Sequence, residues 1–262
     1  MKIVDQDPSF RNILRYMRSQ DYVIYEEPYK LNIFGVRNAQ SQPNKFDDDI
    51  YVFYKNNNGI WEVNKYPATT DTGTYYLLNP YSNLGSAMMK EGQYVDAYQR
   101  GIHISYLALV QVKPIVVYRD YDRNATFDFN QDEMKGLFGI NIHRAGENSV
   151  NVDTWSAGCQ VFQKRDDFNE FMEMTAKQED LYGNSFTYTL IDERAIQRRK
   201  RRIWLFIGIS GLALGGGLYA LKRYKGIDVF AKMGISQKIK GLHLGDKIKN
   251  FNIKEAFNKI KP

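Results

Sequence analysis

Between Ile203 and Leu221 the chain reads IWLFIGISGLALGGGLYAL, nineteen residues without a charge. At about 1.5 Å of rise per residue, a helix of that length roughly matches the ~30 Å hydrocarbon layer of a bilayer. A buried helix in a water-soluble core is the alternative. The span holds five glycines, and each would weaken such a helix by roughly 1 kcal/mol relative to alanine. Membrane helices tolerate glycine because it lets backbones approach closely. A transmembrane helix is therefore expected over 203–221, preceded by a basic linker at 193–202 and followed by a basic amphipathic tail at 222–262.

That division also explains the charge. The whole chain carries a formal +6, yet the run RRKRR (198–202) contributes +5 and the residues from Lys222 onward +8, which leaves −7 on residues 1–197. The basic character belongs to the tail, and nucleic-acid binding is not expected of the folded part. RRKRR is denser than the KRYK that follows the span, so the positive-inside rule places the N-terminal region on the cytoplasmic side. MKIVDQDPSF has no apolar signal core, so no conventional export is expected. The tail mixes Lys with spaced Ile, Leu and Phe. It suits an anionic membrane surface or a partner protein, and a simple solvated basic tail fits it equally well.

Residues 1–192 read mostly as short strands. Aromatic residues make up 14% of the chain, mainly Tyr and Phe, which favours sheet over helical bundle. YVIY, LNIFGV, IYVFYK, IWEVNKY, TYYLL, LALVQV, IVVYRD and GLFGINIH are candidate strands, separated by turn signals such as NNNG and TDTG. FRNILRYMRS (10–19) and DDFNEFMEMTAKQ (166–178) have helical spacing, and FTYTLI (186–191) is a closing strand. The expectation is a helical lead-in at 1–29 and a mainly β sandwich or barrel with few helices at 30–192.

NIHRAGENSVNVDTWSAGCQVF (141–162) holds the chain's single cysteine and one of its three histidines. One cysteine excludes an internal disulfide framework. A thiol near ~8.5 needs help to be nucleophilic at neutral pH, and a histidine within reach supplies a base. Strand ends joined by a loop can bring His143 and Cys159 together. Gly158, just before the cysteine, allows close backbone approach and amides for an oxyanion. A small core hydrophobe is the plainer reading of a lone cysteine.

These residues resemble the active-site signature of the L,D-transpeptidases, a His followed by a loop and Ser-His-Gly-Cys, then often Ile or Val and Arg. Here twelve residues separate His143 from Ser156-Ala157-Gly158-Cys159, followed by Gln160-Val161. Upstream, Thr70-Asp71-Thr72-Gly73-Thr74-Tyr75 takes the place of the family's Thr-Pro-x-Gly-x-Phe/Tyr, with Asp71 where Pro is usual. The resemblance spans roughly Leu31 to Ile191 and is similar to divergent phage and Bacteroidetes members.

The resemblance implies an L,D-transpeptidase-like β fold and attack on an L,D bond of a peptidoglycan stem peptide. Cys159 would form a thioester, resolved by water or an amine, with His143 as base. Ser156 and Gly158 would shape the turn and, with the Gly158 and Cys159 amides, the oxyanion site. Arg144, Trp155, His103 and Gln160 are the candidates for substrate contact, and no metal or organic cofactor is called for. Two departures stand out: Ala157 replaces the second family His, and Val161 stands where the Arg is usual. The expected partners are stem peptides, membrane lipid through 203–221 and, through the tail, other virion proteins. A membrane-anchored phage virion enzyme that opens the wall, in virion membrane or host inner membrane, reconciles the chemistry with the missing signal. The alternatives are an inactive wall-binding or structural module of the same fold, and a cysteine peptidase acting on proteins.

Further residues have competing readings. His103, Tyr94, Tyr98 and Trp155 suit either a cleft wall or core packing. Asp120, Asp122, Asn124 and Asp128 in DYDRNATFD are spaced as in a calcium loop. Ala125 sits where a turn glycine belongs, and Asx turns explain the stretch as well. His243, in the tail, has no evident partner.

Overall fold

Strand alternation and two amphipathic helices build a mainly β unit that ends at Gln197. The computed structural model describes residues 2–3, 8–129, 132–147, 149–194 and 196–197. The expected transmembrane segment, the tail with His243 and most of the linker lie outside the described residues. No helix among the described residues is long and apolar enough to cross a membrane.

The order is β1 (Lys2–Ile3), α1 (Pro8–Ser19), β2 (Asn32–Arg37), β3 (Asp48–Lys55), β4 (Trp61–Thr69), α2 (Thr74–Leu78), β5 (Ser86–Met89) and β6 (Gly92–His103). Then come β7 (Tyr106–Gln111), β8 (Ile115–Asp120), β9 (Glu133–Gly136), β10 (Ile142–Arg144), β11 (Gln160–Phe162), α3 (Arg165–Tyr182) and β12 (Phe186–Asp192). The main sheet runs β1-β4-β11-β10-β7-β6-β12-β2-β3, and a β3–β4 ladder joins its ends, so that eight strands close into a ring with β1 added. Only β10–β11 and β12–β2 are parallel pairs within it. A small antiparallel sheet, β5-β8-β9, stands apart.

Strand β3 is buried on both faces. Ile50, Val52 and Tyr54 join the main core, whereas Tyr51 and Phe53 face a second cluster with Phe34, Val63 and Ile191. Helix α1 covers that cluster with Phe10, Leu14 and Met17, spaced as one helical stripe. Residues 10–24 of the expected lead-in thus join the second cluster, through α1 and through Tyr22 and Ile24. Helix α3 covers the main core with Phe168, Phe171 and Met172, and its Phe171 ring stacks on Phe162 of β11 at 4.9 Å.

Three expected elements differ. YVIY (22–25) is not a strand: the Val23 and Tyr25 amides bond the side chains of Gln93 and Asn32 instead of a ladder. TYYLL forms the short helix α2, started at Gly73 and anchored by buried Leu77, so packing overrides its aromatic strand propensity. GLFGINIH is divided between the end of β9 and the start of β10.

Arg37, at the end of β2, is fully buried. Its Nε lies 2.7 Å from Asp71 Oδ1, a close ion pair without hydrogen-bond alignment. Nη2 donates to Thr70 O (3.1 Å) and Met89 O (3.0 Å), and Nη1 lies 3.8 Å from Asp192 Oδ2. Asp48 of β3 accepts from the amide (2.7 Å) and hydroxyl (2.8 Å) of Thr70. Burial, and then the charge of Asp71, pushes Asp48 up to about 8. Asp192, against the upward push of burial, is held below the usual carboxylate range by Arg194 and Arg37. One guanidinium thus ties β2, β12, β5 and the loop after β4. Arg37→Met strands these buried carboxylates, and we expect a loss of about 3–5 kcal/mol in urea unfolding. A loss below about 1 kcal/mol would show that the cluster carries little of the fold.

Candidate active site

The parallel pair β10–β11 sets the geometry. Ile142 faces Gln160 and His143 faces Val161, and the Gln160 amide continues the register to Asn141 O at 2.9 Å. Alternation puts Ile142, Gln160 and Phe162 on one face and Asn141, His143, Cys159 and Val161 on the other. Cys159 and His143 are therefore diagonal neighbours on one face. Two residues of rise and one strand spacing set their Cβ atoms roughly 8 Å apart, and no hydrogen bond joins Sγ to the His143 ring among the described residues. Neighbouring strands add His103 and Tyr106, cross-strand partners in the β6–β7 hairpin, to the same face.

Hydrogen bonds assign the imidazole tautomers. His143 Nδ1 lies 3.1 Å from Arg144 O, which only accepts, so Nδ1 carries the proton. Tyr106 Oη lies 3.2 Å from the same nitrogen and itself donates to Arg144 O at 3.3 Å. Nε2 of His143 makes no hydrogen bond among the described residues and keeps a lone pair for a proton. His103 has the opposite arrangement. Asn141 Oδ1 accepts from the Gln111 amide, which orients its Nδ2 to donate to His103 Nδ1 at 3.0 Å. The two rings stack with centroids 4.2 Å apart. Burial, the neighbouring His103 and Arg144 hold His143 down to about 3, against its bond to Arg144 O. Burial also lowers His103. His143 is thus a neutral base at rest.

Cys159 is partly accessible, yet its surroundings push the thiol up to about 11, burial outweighing the Asn141 amide that points at Sγ from 3.4 Å. The sulfur also faces Gly139 O at 3.6 Å. The resting pair is thiol and imidazole, not thiolate and imidazolium. Ser156, fully buried, accepts from the Gly158 amide (3.1 Å) and donates to Cys159 O (2.9 Å). This corrects one expectation: the Gly158 amide is committed to Ser156 and is not an oxyanion donor. The Cys159 amide makes no hydrogen bond among the described residues and remains the candidate. Gly158 has φ +121°, and a Cβ there would stand 2.0 Å from Ala87 O, so only glycine fits.

The two sequence motifs meet. The Gly73 amide donates to Ser156 O at 2.8 Å, and β4 ladders with β11 through Thr69 and Val161. The TDTG loop, held by Arg37 through Asp71, is thus the floor of the Cys159 turn.

Other expected contacts fall elsewhere. Gln160 is fully buried on the opposite strand face, accepting from Tyr188 Oη at 2.7 Å and donating to Gly158 O at 3.3 Å, so alternation removes it from substrate contact. Tyr98 is fully buried, and Tyr94 lines a separate recess beside Lys113 and Lys135. Arg144 pairs with Phe162 and so falls by the same alternation on the face opposite Cys159; its guanidinium lies over the Tyr106 ring at 4.5 Å and makes no ion pair among the described residues. Trp155 is 40% exposed. Asp120, Asp122 and Asp128 gather on the loop after β8, with Asx turns at Asp122 and Asn124. Asn141 and Tyr106 were missed. Asn141 precedes His143 by two, and its role follows once the strand face is known, whereas Tyr106 comes from another strand and leaves no local signal.

A thiol raised to about 11 has a thiolate fraction that grows about tenfold per pH unit below that value. Iodoacetamide alkylation of Cys159 should therefore climb steadily through pH 9, and a plateau reached below pH 8 would show a preformed ion pair instead. Comparison with protein-family models, curated proteins and solved structures finds no match, so the site is read from its own geometry.

Proposed function

We propose that the chain is a cysteine-dependent acyl-transfer enzyme of L,D-transpeptidase-like fold that acts on peptidoglycan stem peptides. The observation that supports it is the placing of Cys159 and His143 on one face of adjoining parallel strands, with His143 Nδ1 tied to Arg144 O and Nε2 left as acceptor. In the reaction Cys159 Sγ bonds to the carbonyl carbon of the scissile peptide while its proton passes to His143 Nε2. The carbonyl oxygen gains charge and takes the Cys159 amide as donor. The carbon–nitrogen bond then breaks, and the leaving amine takes the proton from His143. Water or a second amine, deprotonated by His143, cleaves the thioester and restores the thiol. Because both groups rest neutral, proton transfer accompanies attack, and a substrate that excludes water and orients the thiol is part of the mechanism. Anchoring by 203–221 and carriage in a virion complete this reading.

A second reading, a wall-binding module without catalysis, draws on the raised thiol and on the Gly158 amide already spent on Ser156. Detergent-purified full chain and Cys159→Ala, incubated with peptidoglycan and free tetrapeptide stems, separate the two by mass spectrometry. Catalysis requires loss of D-Ala or new cross-links in the wild type and at least a ~10³-fold drop in the variant. Intact bonds together with wall retention by both proteins would select the binding module.

A further inference from the structure

Outside the Cys159 site, three carboxylates gather at one place. Oxygens of Asp120, Asp122 and Asp128 lie within 4.8 Å of one another on the loop that leaves β8. Asp120 is fully buried, and its Oδ1 has no hydrogen-bond partner, whereas Oδ2 accepts the Asp128 amide at 3.0 Å. Neither Asp120 nor Asp122 is in an ion pair among the described residues. A buried carboxylate with one oxygen lacking a donor, in a group with two further carboxylates, is costly unless a cation completes it.

We propose that this loop binds a calcium ion through Asp120, Asp122 and Asp128. The donors are all carboxylate oxygens, which favours a hard cation over zinc or copper, whose sites prefer nitrogen and sulfur. They come from the last residue of β8 and the irregular loop that follows, which suits the flexible coordination of calcium better than the rigid octahedron of magnesium. Asn124 Oδ1 is engaged by the Thr126 amide at 2.7 Å, so water and backbone carbonyls fill the remaining positions. The site braces a strand beside the nucleophile: Asp120 pairs with Ser86 of β5, and the next carbonyl, that of Ala87, lies against Gly158. The ion is structural and independent of the proposed acyl transfer.

The test uses full-length chain in detergent, freed of metal by a chelator, and titrated calorimetrically with calcium chloride and then with magnesium chloride. Expected are one calcium bound per chain, weaker magnesium binding, and a calcium-dependent rise in melting temperature. The double variant Asp122→Asn, Asp128→Asn should lose both the heat and the melting shift while keeping the wild-type circular dichroism. Asp120→Asn should lose the calcium shift yet melt no lower than metal-free wild type, because it removes an unpaired buried charge. No calcium uptake by wild type up to about 10⁻³ M, the weak end of protein calcium sites, overturns the proposal. So does undiminished binding by the double variant, which would put the ion elsewhere.

Discussion

The Arg37 guanidinium is the joint on which the rest of the unit depends. It sits where the ends of β2 and β12 meet the loop after β4 and the end of β5, and it has bonding directions enough to hold all of them. A buried cation is expensive, and what offsets the expense here is the set of buried carboxylates around it. Burial, and then the charge of Asp71, raises Asp48, whereas Asp192, gripped by Arg194 as well as Arg37, is lowered against its burial. From this joint the chain of contacts runs through Asp71 to Gly73, from Gly73 to Ser156, and from Ser156 to the carbonyl of Cys159. The turn that carries Cys159 is thus linked to a charge cluster several strands away.

The chemistry this permits differs from that of a thiol protease with a ready ion pair. A stacked second imidazole and a buried setting hold His143 neutral, and the same dryness holds the sulfur protonated. Such a pair is quiet toward solvent-borne electrophiles and oxidants, because both attack thiolate. It gains nucleophilicity only as a bound acyl group draws the proton across. That would fit the proposed acyl transfer, in which the bound substrate itself completes the site.

Much of this was legible in the chain. Strands with alternating or continuous apolar residues, β2, β3, β7, β8 and β12, were found because each buries a recognisable face. The helices α1 and α3 were found from their stripes. What escaped was set by distant partners. The long strand β6 carries Tyr, Gln, Arg and His in no clean alternation, since its neighbours rather than its own pattern bury it. Gln160 looked like a substrate ligand from its place beside Cys159, and a period of two sends it to the other side of the sheet. Arg37 gave no local sign at all, because a lone arginine at a strand end reads as solvated until the three acids that surround it are known.

The connection between β10 and β11 has a different kind of consequence. Parallel neighbours cannot be joined by a tight turn and need a crossover of about a dozen residues or more. The segment from Ala145 to Cys159 is close to that floor, and its return is pinned at Gly73 and at Ala87. Deletions here would pull base and nucleophile out of register, whereas insertions cost little loop-closure entropy. The stretch is therefore a one-way hinge in sequence space. It can lengthen while His143 and Cys159 keep their places, and it has almost nothing left to give up.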